Sequence, residues 1–177
     1  MKTPIILIGP VGAGKSTIGN LLSKRLSIPS ACLDDERWEI YSELGYEFKH
    51  ADELMKNKGF LELYKYWKPF EASSVEIIVD KYMNHIIDFG AGQSVYEDEK
   101  LFGKVSSVLE PIRNVVLLLP SPEVSESLDI LYQRTNFEHN ELFVKNRSNE
   151  KLAKLIVYTK GKTPEETCDE IINKLSR

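Results

Sequence analysis

Eight consecutive residues, Gly9-Pro10-Val11-Gly12-Ala13-Gly14-Lys15-Ser16, bring three glycines, a long cation and a hydroxyl into one short turn. They satisfy the spacing G-x-x-x-x-G-K-S/T at every position. A loop of this composition curls so that successive backbone N–H groups face one anion. Glycine permits both the positive φ and the close approach of phosphate oxygens that this requires. Lys15 then reaches the β- and γ-phosphates of a nucleoside triphosphate, and the Ser16 hydroxyl offers an oxygen to Mg²⁺. The expected contacts to the nucleotide are Gly9, Gly12, Ala13, Gly14, Lys15, Ser16 and Thr17, with Lys15 also catalytic. Thr17 follows on the helix and is expected to pack or cap.

Two elements must hold that loop. Pro4-Ile5-Ile6-Leu7-Ile8 reads as a buried strand leading into it, and Ile18, Leu21, Leu22 and Leu26 form the apolar stripe of a helix leading out. The helix N-terminus adds its positive end to the phosphate site. Mg²⁺ beside such a loop needs a carboxylate at the end of a neighbouring strand, and Asp34 and Asp88 are the two placed for it. Asp88 closes an apolar run just before a glycine turn, so it is the expected metal ligand together with Ser16.

Farther along, short aliphatic runs alternate with amphipathic stretches. Strands are expected at 30–34, 86–89, 114–119 and 155–159. A helical region at 35–82 is expected to break near Gly45, Gly59 and Pro69. Further helices are expected at 97–109, at 122–134 with Pro122 in the first turn, and from Pro164 behind a Thr163 cap. Strands buried on both faces and each followed by a helix imply an α/β fold, a five-stranded parallel sheet with helices on both faces. Ligands of such sheets bind beyond the C-terminal strand ends, where the glycine loop, Asp34 and Asp88 through Gly92 all converge.

The 177 residues suit a single domain. A formal charge of −4 argues against a nucleic-acid partner, and no apolar run reaches the length of a membrane span. Cys32 and Cys168 lack metal spacing, and a reduced, cytoplasmic chain without a signal peptide is expected.

The order of elements resembles that of the shikimate kinases and the wider nucleoside-monophosphate-kinase-like group of P-loop kinases, over nearly the whole chain. The resemblance implies a three-layer P-loop NTPase fold and transfer of phosphate from ATP to a small hydroxyl-bearing metabolite. It places Asp34 at the acid that binds the acceptor hydroxyl and Cys32 at an earlier, metal-side acid, so that Asp88 supplies the carboxylate that Cys32 cannot. The family's G-G-G turn is similar to Gly90-Ala91-Gly92. An F-R segment appears as Phe48-Lys49, and the arginine beyond the lid falls at Lys145. The resemblance thus implies acceptor contacts from Asp34, Lys49, Gly90, Ala91, Gly92 and Lys145. Lysine cannot reproduce the arginine fork on a carboxylate, which points to an acceptor other than shikimate or a weaker preference for it.

Arg134 precedes a short lid, 135–146, and is the expected catalytic arginine over the transferring phosphate, with Arg147 as the other candidate. The loop 160–164 is expected to border adenine. The nine aromatic residues from Trp38 to Phe70 are either core or the wall of an acceptor pocket. His50, His85 and His139 receive no role. Two other readings stay open: a nucleotide kinase, disfavoured because Arg37 is the one arginine between Asp34 and Tyr82, and an ATP-binding regulator without an acceptor. A guanine-specific N-K-x-D is absent, since Asn57-Lys58-Gly59-Phe60 lacks the acid. The partner is expected to be a small molecule, for a monomer or homodimer.

Overall fold

The computed structural model describes residues 4–175. Its strands are β1 (Ile5–Ile8), β2 (Ser30–Cys32), β3 (Ile86–Asp88), β4 (Asn114–Leu119) and β5 (Leu155–Tyr158). They form one parallel sheet in the order β2-β3-β1-β4-β5. Around it lie α1 (Lys15–Leu26), α2 (Leu33–Glu43), α3 (Phe48–Lys58), α4 (Phe60–Lys81), α5 (Glu99–Leu109), α6 (Val124–Thr135), α7 (Glu141–Val144), α8 (Ser148–Leu152) and α9 (Pro164–Leu175).

Alternate strand residues serve opposite layers, as the period of a strand requires. Ile6, Ile8, Ile87, Val115 and Leu117 pack with Ala72, Val75 and Ile78 of α4 and with Val105 and Leu109 of α5. Ile5, Leu7, Ile86, Val116 and Leu118 pack with Ile18 and Leu22 of α1, Leu131 of α6 and Ile171 of α9. Both faces are covered, which explains the unbroken aliphatic runs.

Several boundaries differ from the sequence expectation. The second strand stops at Cys32; Leu33 is fully buried and opens α2, so Asp34 sits in a helical first turn. Acids are favoured there by the helix dipole. The stretch 35–82 is divided at Gly45 and Gly59, but Pro69 stands exposed inside a continuous α4. The cost of an interior proline, ~3 kcal/mol, is offset by the buried stripe Ala72, Val75, Ile78 and Val79. Pro122 falls before α6 rather than in its first turn. Ser127 Oγ accepts from Ser121 N at 3.0 Å and donates to Ser121 O at 2.8 Å, holding the preceding residues in a turn. The Thr163 cap is present as a reciprocal pair: Glu166 N donates to Thr163 Oγ1 (3.2 Å) and Thr163 N to Glu166 Oε2 (2.8 Å). Among the described residues no helix is long and apolar enough to cross a membrane.

Candidate active site

The glycine loop joins β1 to α1 at the C-terminal edge of the sheet. Gly12 (φ 82°) and Gly14 (φ 95°) adopt the left-handed backbone that turns the chain into the helix. Lys15 Nζ donates to Gly9 O at 3.0 Å and Pro10 O at 3.2 Å. Burial lowers the Lys15 pKa, while the carboxylates of Asp88 and Asp34 act in the opposite sense and favour the ammonium. Both expected acids therefore act on the expected catalytic lysine.

Ser16 Oγ donates to Asp88 Oδ2 at 2.5 Å. The other oxygen, Asp88 Oδ1, is buried and has no hydrogen-bond partner among the described residues. Burial raises the Asp88 pKa, against the pull of Lys15 and the Ser16 bond. In the sheet register Cys32 lies directly beside Asp88, and burial pushes its thiol up as well. A cavity of about 310 Å³ opens here between Ser16, Asn20, Cys32, Asp35 and Asp88. Its hard oxygens fit a Mg²⁺ ion, which takes one or two carboxylates and leaves its other positions to water and phosphate. Asp35 was not singled out from sequence; only the helical turn after Leu33 reveals that it faces this cavity.

The third-strand glycines lead into a 3₁₀ turn, Ala91–Ser94. A Cβ on Gly90 would lie 2.4 Å from Gln93 Oε1 and 2.6 Å from Asp34 Oδ1. Asp34 and Gln93 thus converge on a bare α-carbon. A Cβ on Gly92 would lie 2.0 Å from Glu71 Oε1, so only glycine lets α4 approach the turn this closely. Glu71 is 4% exposed and pairs with Lys68, 8% exposed. Lys68 Nζ also donates to Gly92 O at 2.9 Å and Val95 O at 3.0 Å, and lies 4.0 Å from the centre of the Tyr64 ring. Burial lowers the Lys68 pKa and raises that of Glu71. This buried pair, which holds the turn after β3, left no signal in a helix read as aromatic and amphipathic.

Arg134 Nη1 donates to Gly12 O at 3.2 Å, which sets it on the glycine loop. It shares a cavity of about 270 Å³ with Gly14, Thr17, Thr159, Lys162 and Pro164, so the loop 160–164 comes beside the glycine loop. Thr17 is exposed toward this cavity and does not pack. Arg147 lies in a different groove, beside Glu97, Glu99 and Phe102. Asn140, 2% exposed, accepts from Val11 N at 3.0 Å and donates to Val11 O at 3.2 Å, tying the segment after α6 to the loop. Phe60 stacks on His139 with ring centres 4.4 Å apart, closing the same seam from α4.

Among the described residues no hydrogen bond or ion pair joins either expected lysine to Asp34 or the glycine turn. Lys145 pairs with Glu141 and faces a groove with Leu61 and His139. Lys49 is exposed in the first turn of α3. The aromatic group packs largely on itself, with Tyr41, Tyr46 and Tyr64 buried and Trp38 and Phe48 exposed: Tyr46 lies within 5.0–5.7 Å of the rings of Phe48, Tyr66, Phe70, Tyr41 and Trp38, and its hydroxyl accepts from Trp67 Nε1 at 2.8 Å.

Comparison with known proteins follows the same lines. A shikimate kinase of Coxiella burnetii is 31% identical over 153 residues, covering 86% of this chain and 74% of that protein. A shikimate kinase of Bacillus licheniformis is 27% identical over 179 residues, covering 97% and 92%. Among solved structures, shikimate kinase from Acinetobacter baumannii in complex with shikimate superposes with a TM-score of 0.68 at 18% identity, covering 99% of this chain and 94% of that one. At that identity the likeness is one of fold. No protein-family model matches the chain.

Proposed function

Because the chain belongs to the shikimate kinase family and so phosphorylates a small metabolite from ATP, we propose that the acceptor group is a hydroxyl held by Asp34. The observation that carries this reading is the convergence of Asp34 on the Gly90 turn while it also acts electrostatically on Lys15. Lys15 and Arg134 stabilise negative charge on the moving phosphoryl group. Backbone N–H groups of residues 12–16 hold the phosphates. Asp34 orients the hydroxyl and takes its proton as the oxygen bonds to the γ-phosphorus and the bond to ADP breaks. Ser16, Asp88 and Asp35 would hold Mg²⁺, which supplies charge neutralisation on the phosphate oxygens.

A coupled ADP-release screen over hydroxylated metabolites, with shikimate and nucleosides included, tests this directly. Asp34→Asn should leave ATP affinity within a few-fold and remove transfer by about 10²–10⁴-fold, the range for a lost acid–base group. Transfer at wild-type rates by this variant sinks the assignment.

The metal role predicts a contrast between neighbours. Asp88→Asn should raise the Mg²⁺ concentration for half-maximal rate by about 10–100-fold, and Cys32→Ser should change it little. The reverse ranking would show that the metal-side positions are misassigned. The same variant carries a stability signature. A carboxyl whose pKa is raised by folding contributes stability in acid that is lost as pH rises through the folded pKa. At neutral pH without metal, Asp88→Asn should therefore melt no lower than the wild type.

A further inference from the structure

A cavity of about 640 Å³ lies between α4, the start of α5 and α7. None of the residues around it lines the cavities beside Asp88 or Arg134, and neither Asp34 nor the glycines of the turn after β3 belong to its wall. The floor is apolar, built from Leu61, Tyr64, Pro69, Leu101 and Leu142, and Leu61 stands 51% exposed. The polar groups around that floor are mostly acceptors. Pro69 has no N–H, so the carbonyl of Lys65, four residues earlier on α4, lacks its helical donor. Both residues line the cavity, which leaves this carbonyl on the cavity's side of α4. Glu97, also on the wall, makes no hydrogen bond or ion pair among the described residues. Asp98 beside it receives the N–H groups of Lys100 and Leu101 and keeps its charge.

The two cations on the wall are already matched, Lys65 by Glu62 at 2.7 Å and Lys68 by Glu71. The aromatic walls suit a cation as well. Lys68 Nζ lies 4.0 Å from the Tyr64 ring centre and 5.1 Å from that of Tyr96, so both rings already attract one ammonium. Negative charge and free acceptors over a hydrocarbon floor select a ligand that is apolar at one end and a charged donor at the other.

We propose that this cavity binds a small apolar ammonium, a protonated primary amine that carries an aromatic or branched hydrocarbon group. The hydrocarbon covers Leu61, Leu101 and Leu142, while the ammonium donates to Glu97 and to the Lys65 carbonyl. A carboxylate in its place would face Glu97 and Asp98 as a like charge, and an alcohol would leave Glu97 without a counter-ion. The site is separate from phosphoryl transfer and does not depend on which acceptor the kinase uses.

The test titrates 2-phenylethylamine, the neutral 2-phenylethanol and the anionic 3-phenylpropionate into the whole chain at neutral pH, by calorimetry. The amine should bind at least about tenfold more tightly than the alcohol, as a charge-assisted hydrogen bond implies, and the acid should bind least. Glu97→Gln should weaken the amine by about 10–100-fold and erase its advantage over the alcohol. Leu61→Ser should weaken amine and alcohol together. Both side chains are exposed, so folding should be unchanged, and melting curves check it. Saturating Mg·ADP or shikimate should leave the affinity for the amine as it was. Equal binding of the three probes, no binding of any, an unchanged affinity in Glu97→Gln, or displacement by Mg·ADP or shikimate overturns the inference. So does a dimer in light scattering that Leu61→Ser dissolves, since a second copy would then be the occupant. Each of these outcomes leaves the kinase reading intact.

Discussion

Lys15→Ala is expected to lower phosphoryl transfer by about 10²–10³-fold or more, ~3–4 kcal/mol of transition-state stabilisation. The loss should fall on kcat, because the ammonium interacts most strongly with charge that develops as the phosphoryl group moves. Folding should survive, since the bonds that Lys15 makes are two contacts to carbonyls of its own loop. Calorimetric titration with ATP, a melting curve and single-turnover kinetics separate these effects. Turnover equal to the wild type would remove Lys15 from the catalytic machinery.

The second large effect concerns stability. Lys68 and Glu71 are a buried ion pair, and removing one partner strands the other in an apolar interior at about 3–5 kcal/mol. For a chain of this length each kcal/mol moves the melting temperature by about 2–4 °C. Lys68→Met or Glu71→Ala should therefore melt about 10 °C lower. The double variant Lys68→Met/Glu71→Leu should regain much of that, because apolar replacement of both partners is often neutral. It should not regain acceptor turnover, since the carbonyls of Gly92 and Val95 lose the ammonium that holds the turn. Single variants that melt within about 2 °C of the wild type would show that the pair does not act as a buried unit.

How far the sequence revealed these features depended on how local each one is. The strand–turn–helix setting of the glycine loop was legible because it lies in adjacent residues, and the layered sheet because aliphatic runs mark doubly buried strands. Asp34 was placed on the correct edge but in the wrong element. A three-residue strand followed at once by a helix offers no pattern long enough to read, and the one-residue difference between Asp34 and Asp35 sets the first against Gly90 and the second beside the Asp88 cavity. Lys68 and Glu71 stood three apart on a helix, the spacing of an ordinary solvated pair. Only the return of the chain at Gly92, 21 residues after Glu71 in sequence, buries them. Lys145 was placed by resemblance alone, and sequence position does not tell that Glu141, one turn earlier, pairs with it.

Asn140 gives the molecule a mechanical property. It occupies both the N–H and the C=O of Val11, so the segment after α6 and the glycine loop are bolted together as roof and floor. A roof fixed in this way cannot swing at residue 140. Movement has to come from its ends, beginning at Asn136, whose left-handed backbone (φ 52°) closes α6. Separating that segment from the loop therefore means breaking two hydrogen bonds on one residue at once. Val11 and the segment 138–144 then open as a single cooperative unit, with one shared rate of amide exchange.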